Sequence, residues 1–169
     1  MAYLRTALFS GTGAALAAVT AITVLSRIEG KGAARPVNAT SHVLWGPKSA
    51  ARDEIDLAHT GSGLGINVGS AFFWGAIFAL AAPRPASTPR RSLVARAFGT
   101  TLLAAVVDYA VMPKRLRPGW ELVLQARSVA AALAAMGTGL AAGGLVAREM
   151  DAPQKLVSTL AFDPVKSPD

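Results

Sequence analysis

Apolar positions fall into four long runs, nearly free of charge and separated by polar stretches. They are TALFSGTGAALAAVTAITVLS at 6–26, TGSGLGINVGSAFFWGAIFALAAP at 60–83, SLVARAFGTTLLAAVVDYAVMP at 92–113 and SVAAALAAMGTGLAAGGLVA at 128–147. A helix of about 20 residues crosses the roughly 30 Å hydrocarbon core of a bilayer. Each run is long enough. Alternating ten-residue strands, the signature of a membrane barrel, do not occur, so helices are the way to satisfy the backbone in lipid. The pattern predicts an all-α fold, an integral membrane antiparallel four-helix bundle. Its helices lie at about 6–26, 62–82, 92–112 and 128–147, in one domain spanning 1–147. The stretch 148–169, with Pro153, Pro164 and Pro168, reads as a polar, flexible tail.

The first run also fits a signal peptide, with Arg5 as its basic end and AVTA as a weak cleavage site. It is longer than the usual signal core, which favours a retained helix. Gly65 with Gly69, and Gly139 with Gly143, have the small-xxx-small spacing that puts two glycines on one helix face. Pro83 and Pro85 are expected to stop the second helix. Between the first two runs, Asn38, Thr40 or Ser41 can cap a short amphipathic surface helix carrying Val43, Leu44 and Trp45.

Composition agrees with a membrane location. Of the 169 residues, 52% are apolar and only 16% charged, against about 25% in soluble domains. The net charge is +7. The positive residues sit mainly in the gaps between apolar runs, which points to lipid headgroups, anionic ones included, and not to nucleic acid. They divide almost evenly between the two ends of the bundle, so charge does not set its orientation. Without cysteine, disulfides, thiolate metal sites and cysteine nucleophiles are excluded.

Alternating helices bring one set of polar residues to the same end: Asn38, Ser41, His42, Trp45 and His59 from the first gap, Asn67 from helix 2, and Asp108, Tyr109, Lys114 and Arg115 around the end of helix 3. A carboxylate in a membrane segment is costly and marks a site by default. The competing reading is a structural salt bridge from Asp108 to Arg115, Lys114 or an arginine of the first gap. Two histidines and a carboxylate (His42, His59 and Asp108 or Asp56) have the donor types of a metal site, but no local spacing supports one, and neither metal nor cofactor is expected. Lys114, Arg115 and Arg117 suit a phosphate, or serve only as flanking charge. Trp45, Tyr109 and Trp120 suit an interfacial aromatic belt. GTGLAA at Gly137 and GSGLG at Gly61 lack the strand and the lysine of nucleotide loops and read as helix.

NATSHVLWG, FFWG and DYAVMPKRLRPGWE together resemble an uncharacterised group of small bacterial inner-membrane proteins. The shared pattern is Asn38, Ser41, His42, Trp45 and Gly46; Phe73 and Trp74; and Asp108, Tyr109, Pro113, Lys114, Arg115, Leu116, Pro118 and Gly119. The resemblance implies a multi-pass inner-membrane location and no particular activity. Asn67 and Val68 stand where that group often carries histidine, which weakens a metal site further. Three functions follow from the residues. The first is a membrane protein binding lipid headgroups or a membrane partner protein through the polar end. The second is a membrane enzyme with His42 as base and Asp108 as its orienter. The third is a small transporter, which needs a second copy to complete a path.

Overall fold

The computed structural model describes residues 2–82 and 87–160, with side chains up to 151. Its α-helices are α1 (Ala2–Ile28), α2 (Arg35–Thr40), α3 (His42–Trp45), α4 (Ser62–Ala81), α5 (Arg90–Val106) and α6 (Ala126–Leu160). No strand occurs among the described residues. Four helical stretches are long and apolar enough to cross a membrane: Ala2–Ile28, Leu57–Ala81, Arg90–Val111 and Ala126–Asp151.

α1 lies between α4 and α6, and α5 packs on α6. Contacts step down α6 as they step up α1. Arg5 pairs with Asp151 at 2.5 Å, Phe9 touches Gly143, and Gly13 meets Gly139. At the last of these the backbones touch directly. A Cβ on Gly139 would lie 2.2 Å from the Gly13 carbonyl oxygen, and one on Gly13 would lie 2.3 Å from that of Gly139. The interior is built largely of small residues, among them Ala14, Ala18, Thr6, Ser10 and Ala132. Large apolar side chains point outward, with Leu16, Leu80 and Leu102 each more than 60% exposed.

Several expectations change. The fourth helix begins at Ala126 and runs through Arg148 and Asp151 to Leu160, so residues 148–160, expected as the start of a flexible tail, are helical. Helix-forming residues continue past the apolar run, and Asp151 is tied back to α1 by Arg5. Residues 161–169, like Pro83 and Pro85, lie outside the described residues. Of the two glycine pairs, Gly139 and Gly143 pack on α1, but Gly65 and Gly69 meet nothing within 4 Å. α4 approaches its neighbours at Gly63 and Gly75 instead.

The short helix expected between the first two runs forms only as one turn, α3 (His42–Trp45), which begins after Ser41 and leaves Leu44 and Trp45 about half exposed. The residues before it, Pro36 to Thr40, are all buried, folded against α4 and α1. No side chain caps α2 or α3, because Asn38, Thr40 and Ser41 are turned inward to other partners. Arg96 donates to the carbonyl of Ala81 at the end of α4, where a cation suits the free carbonyls.

Glu29 joins the two ends of this arrangement. Its side chain is only 6% exposed. It accepts from Lys31 Nζ at 2.8 Å, from Ser128 Oγ at 2.6 Å and from the Gln125 backbone N–H at 3.1 Å. A carboxylate thus sits at the N-terminus of α6, where the helix dipole favours it. The bonds from Lys31 and Ser128 hold its carboxyl at about 2, against an ordinary 4.5.

Two outcomes are expected. Gly139→Leu forces α1 and α6 apart at a cost of about 1–3 kcal/mol or more, whereas Gly65→Ala leaves stability unchanged or raises it. Thermal unfolding in mild detergent compares them, and equal effects would contradict the packing described. Because the folded Glu29 carboxyl titrates lower than the unfolded one, its stabilisation is complete above about pH 5 and is lost as the pH falls toward 2. Glu29→Gln is expected to cost about 1.5–3 kcal/mol at neutral pH and to flatten that limb of the stability profile.

Candidate functional site

The first gap folds back as a roof over one end of the helices. Asn38 is completely buried and ties the roof together. Its amide donates to the carbonyls of Arg52 (3.1 Å) and Glu54 (2.9 Å), and its Oδ1 accepts from Thr60 Oγ1 at 2.6 Å. Ser41 Oγ donates to the Asn38 carbonyl at 2.7 Å. Both side chains are fully engaged and hold irregular backbone in place. Buried carbonyls outside regular structure need such partners.

Beneath the roof, Asn67 of α4 makes a second knot. Its amide donates to Thr40 Oγ1 (3.0 Å) and to the Gly63 carbonyl (2.8 Å). Its Oδ1 accepts the Trp120 indole N–H at 3.1 Å. Trp120 is 5% exposed, so it belongs to the interior and not to an interfacial belt. Gly119 turns it inward. Its φ is +84°, and a Cβ there would lie 2.7 Å from the Ala39 carbonyl oxygen and 2.9 Å from His42 Nδ1, so only glycine fits.

Thr40, Asn67 and Trp120 line a hollow of about 160 Å³, completed by Ser70, Asp108, Arg117 and apolar side chains of α1, α4 and α6. Asp108 and Tyr109 belong to a π turn, Val107–Val111, that widens the last turn after α5 and closes with Met112 N–H to Val107 O at 2.8 Å. Such turns recur at functional sites. The expected salt bridge from Asp108 to Lys114 or Arg115 is absent: among the described residues Asp108 has no ion pair and no hydrogen bond. The chain leaves the π turn through extended Met112 and Pro113, which carries both cations to the outside.

Lys114 and Arg115 line a separate, open cleft of about 610 Å³ with His42, Leu44, Trp45, Gly46, Pro47 and Leu122. Both cations are exposed and neither has an ion pair among the described residues. His42 is 7% exposed. Its Nδ1–H donates to the Ala39 carbonyl at 2.9 Å, a partner that can only accept, and its Nε2 lies 3.4 Å from the Lys114 carbonyl oxygen. Trp45 is 56% exposed, and its indole N–H donates to the Ala58 carbonyl at 2.8 Å. His59 sits beyond it, its ring 6.2 Å from that of Trp45 and its Nδ1 3.1 Å from Asp56 Oδ2. The His59 backbone N–H, bonded to Asp56 Oδ1 at 2.5 Å, holds the Asp56 carboxyl below its ordinary range.

The ten residues expected at one pocket therefore divide. His42, Trp45, Lys114 and Arg115 share the outer cleft. Asn67 and Asp108 share the inner hollow, with Tyr109 beside it. Asn38 and Ser41 build the roof, and His59 pairs with Asp56. His42 and His59 each have their own partners, and no group of three His, Asp or Glu side chains converges among the described residues. Arg117, read with Lys114 and Arg115 as suited to a phosphate, lines the inner hollow apart from those two, and Trp120 and Glu121 were not among the expected site residues. The signal for Trp120 was Pro118–Gly119 just before it, a tight turn able to reverse the chain inward. No family model, curated protein or solved structure matches this chain.

Replacing Asn67 with alanine leaves the Trp120 indole N–H and the Thr40 hydroxyl short of partners in a buried place. The expected cost is about 1–3 kcal/mol, read as a lower unfolding temperature together with a shift in tryptophan emission. A variant with unchanged emission would show that Trp120 does not depend on Asn67.

Proposed function

We propose that the chain is an integral membrane protein, an antiparallel four-helix bundle of the inner-membrane type its motifs resemble, that holds anionic lipid headgroups in the outer cleft. One observation carries the reading. Lys114 and Arg115 are exposed and without an ion pair among the described residues, beside Leu44, Trp45, Leu116 and Leu122, each about half exposed. Water-facing apolar side chains of this size are unfavourable, while cations flanked by apolar groups suit the boundary between headgroups and acyl chains. The inverted distribution of the fold supports embedding: small side chains inside, with leucine, valine and phenylalanine outside. Contacts that run oppositely along α1 and α6 support the antiparallel order. A membrane enzyme built on His42 and Asp108 has no assembled dyad behind it, since the two line different hollows.

The test uses the full chain in lipid nanodiscs. Each juxtamembrane cation contributes about 1 kcal/mol toward an anionic surface, so Lys114→Gln with Arg115→Gln is expected to weaken retention of phosphatidylglycerol roughly 30-fold, and salt is expected to weaken the wild type. The absence of cysteine makes single-cysteine labelling clean. Lys48→Cys and Gln125→Cys are expected to react from one side of a vesicle and Arg91→Cys from the other. Labelling of Lys48→Cys and Gln125→Cys from opposite sides defeats the arrangement, and unchanged lipid retention defeats the cleft.

A further inference from the structure

Six buried side-chain polar atoms lack a hydrogen-bond partner among the described residues, and three of them, Tyr109 Oη, Arg117 Nε and Glu121 Oε2, belong to the π turn and the segment that follows it; of these, Arg117 lines the inner hollow. The charges of Glu121, Asp108 and Arg117 all act on Tyr109. Buried polar atoms are almost always partnered by protein or by something bound, so their concentration here marks a place where a partner belongs. Within the hollow the neutral groups are already satisfied: Asn67, Thr40 and Trp120 bond one another. Asp108 and Arg117 both face the same space, and they form no ion pair with each other. An ionised carboxylate only accepts and a guanidinium only donates. A single group that also compensates both charges presents a donor cation at one end and an oxyanion at the other.

We infer that the inner hollow binds a compact zwitterion with a primary ammonium for Asp108 and a phosphate for Arg117, the chemistry of a phosphoethanolamine headgroup. Guanidinium matches phosphate through paired N–H bonds, and an ammonium supplies three donors to a carboxylate. Size agrees: a void of about 150 Å³ admits a benzene-sized molecule, and the hollow is about 160 Å³. A choline headgroup is bulkier and has no N–H to give. The wall has an exposed member, Ser70 on α4, and a half-buried one, Asp108 after α5. α4 and α5 are tied at their other end, where Arg96 donates to the Ala81 carbonyl. On the membrane reading above, on which this inference rests, that wall faces the bilayer. A lipid can then insert its headgroup sideways and leave its chains outside.

The experiment is native mass spectrometry of the full chain released from nanodiscs containing phosphatidylethanolamine, phosphatidylcholine and phosphatidylglycerol. Phosphatidylethanolamine is expected to be retained over phosphatidylcholine by tenfold or more. Asp108→Asn and Arg117→Gln are each expected to abolish that preference. Ser70→Phe, which blocks the exposed wall without removing a charge, is expected to do the same and guards against a folding defect in the charge variants. The preference is expected to survive Lys114→Gln with Arg115→Gln, which separates it from the outer cleft. Displacement of the retained lipid by millimolar phosphoethanolamine assigns recognition to the headgroup alone. Failure to displace it assigns the site to the membrane-anchored form, and either result upholds the zwitterion site. Equal retention of phosphatidylethanolamine and phosphatidylcholine overturns it, as does a preference that persists in both Asp108→Asn and Ser70→Phe.

Discussion

The backbone contact between α1 and α6 at Gly13 and Gly139 sets the spacing on which the other contacts depend. With no side chain between them, the two helices touch carbonyl to Cα. Such an approach lets main-chain atoms make close van der Waals contact, each small but many together. α4 reaches α1 in the same way at Gly75. Three helices are therefore drawn tight, and α5 is left to pack chiefly on α6. Its link to α4 is concentrated where Arg96 meets Ala81. The space that tight packing removes elsewhere survives at the opposite end, between α4 and the π turn that follows α5.

That space needs a roof, and a roof of irregular chain has carbonyl and amide groups to satisfy. Buried backbone groups outside regular structure need side-chain partners. Two asparagines meet the requirement. Asn38 holds the descending loop through Arg52, Glu54 and Thr60. Asn67 joins the roof to α4 and to the turn carrying Trp120. An amide side chain offers two donors and an acceptor, which lets one residue tie three segments. The roof, the floor and the indole wall of the hollow are in this way one hydrogen-bonded unit. Loss of one asparagine is felt in segments far apart in sequence.

The helices were legible in the sequence because charge-free runs of 20 residues have few alternatives. Their boundaries were less so. α6 extends past its apolar run because Arg148 and Asp151 are good enough helix formers with partners on neighbouring elements, information that hydropathy does not carry. The polar residues expected in one pocket are distributed between an outer cleft, an inner hollow and the roof. Asn38, Thr40 and Ser41 looked like caps, since short polar side chains before an apolar run suit a helix start. They serve instead as internal partners, a role that depends on Thr60 and Asn67 being brought alongside by the tertiary fold. Trp120 looked interfacial by its spacing. The left-handed turn at Gly119 that sends it inward is a local signal, but only the contact with Asn67 gives it meaning.

The separation of charges is the feature that bears most on function. The chain carries an excess of lysine and arginine, and two of these cations follow Asp108 within seven residues. Were stability all that mattered, the cheapest arrangement would fold Lys114 or Arg115 back onto the carboxylate. The π turn at Val107–Val111 and the extended stretch through Pro113 prevent it, and the Lys114 carbonyl is turned toward His42 instead. A half-buried carboxylate is thereby kept without a cation, a few ångströms of chain from two cations kept without an anion. Each separation is costly on its own terms. Together they leave an inner hollow and an outer cleft, each lined by a charge that no side chain of opposite sign pairs with among the described residues.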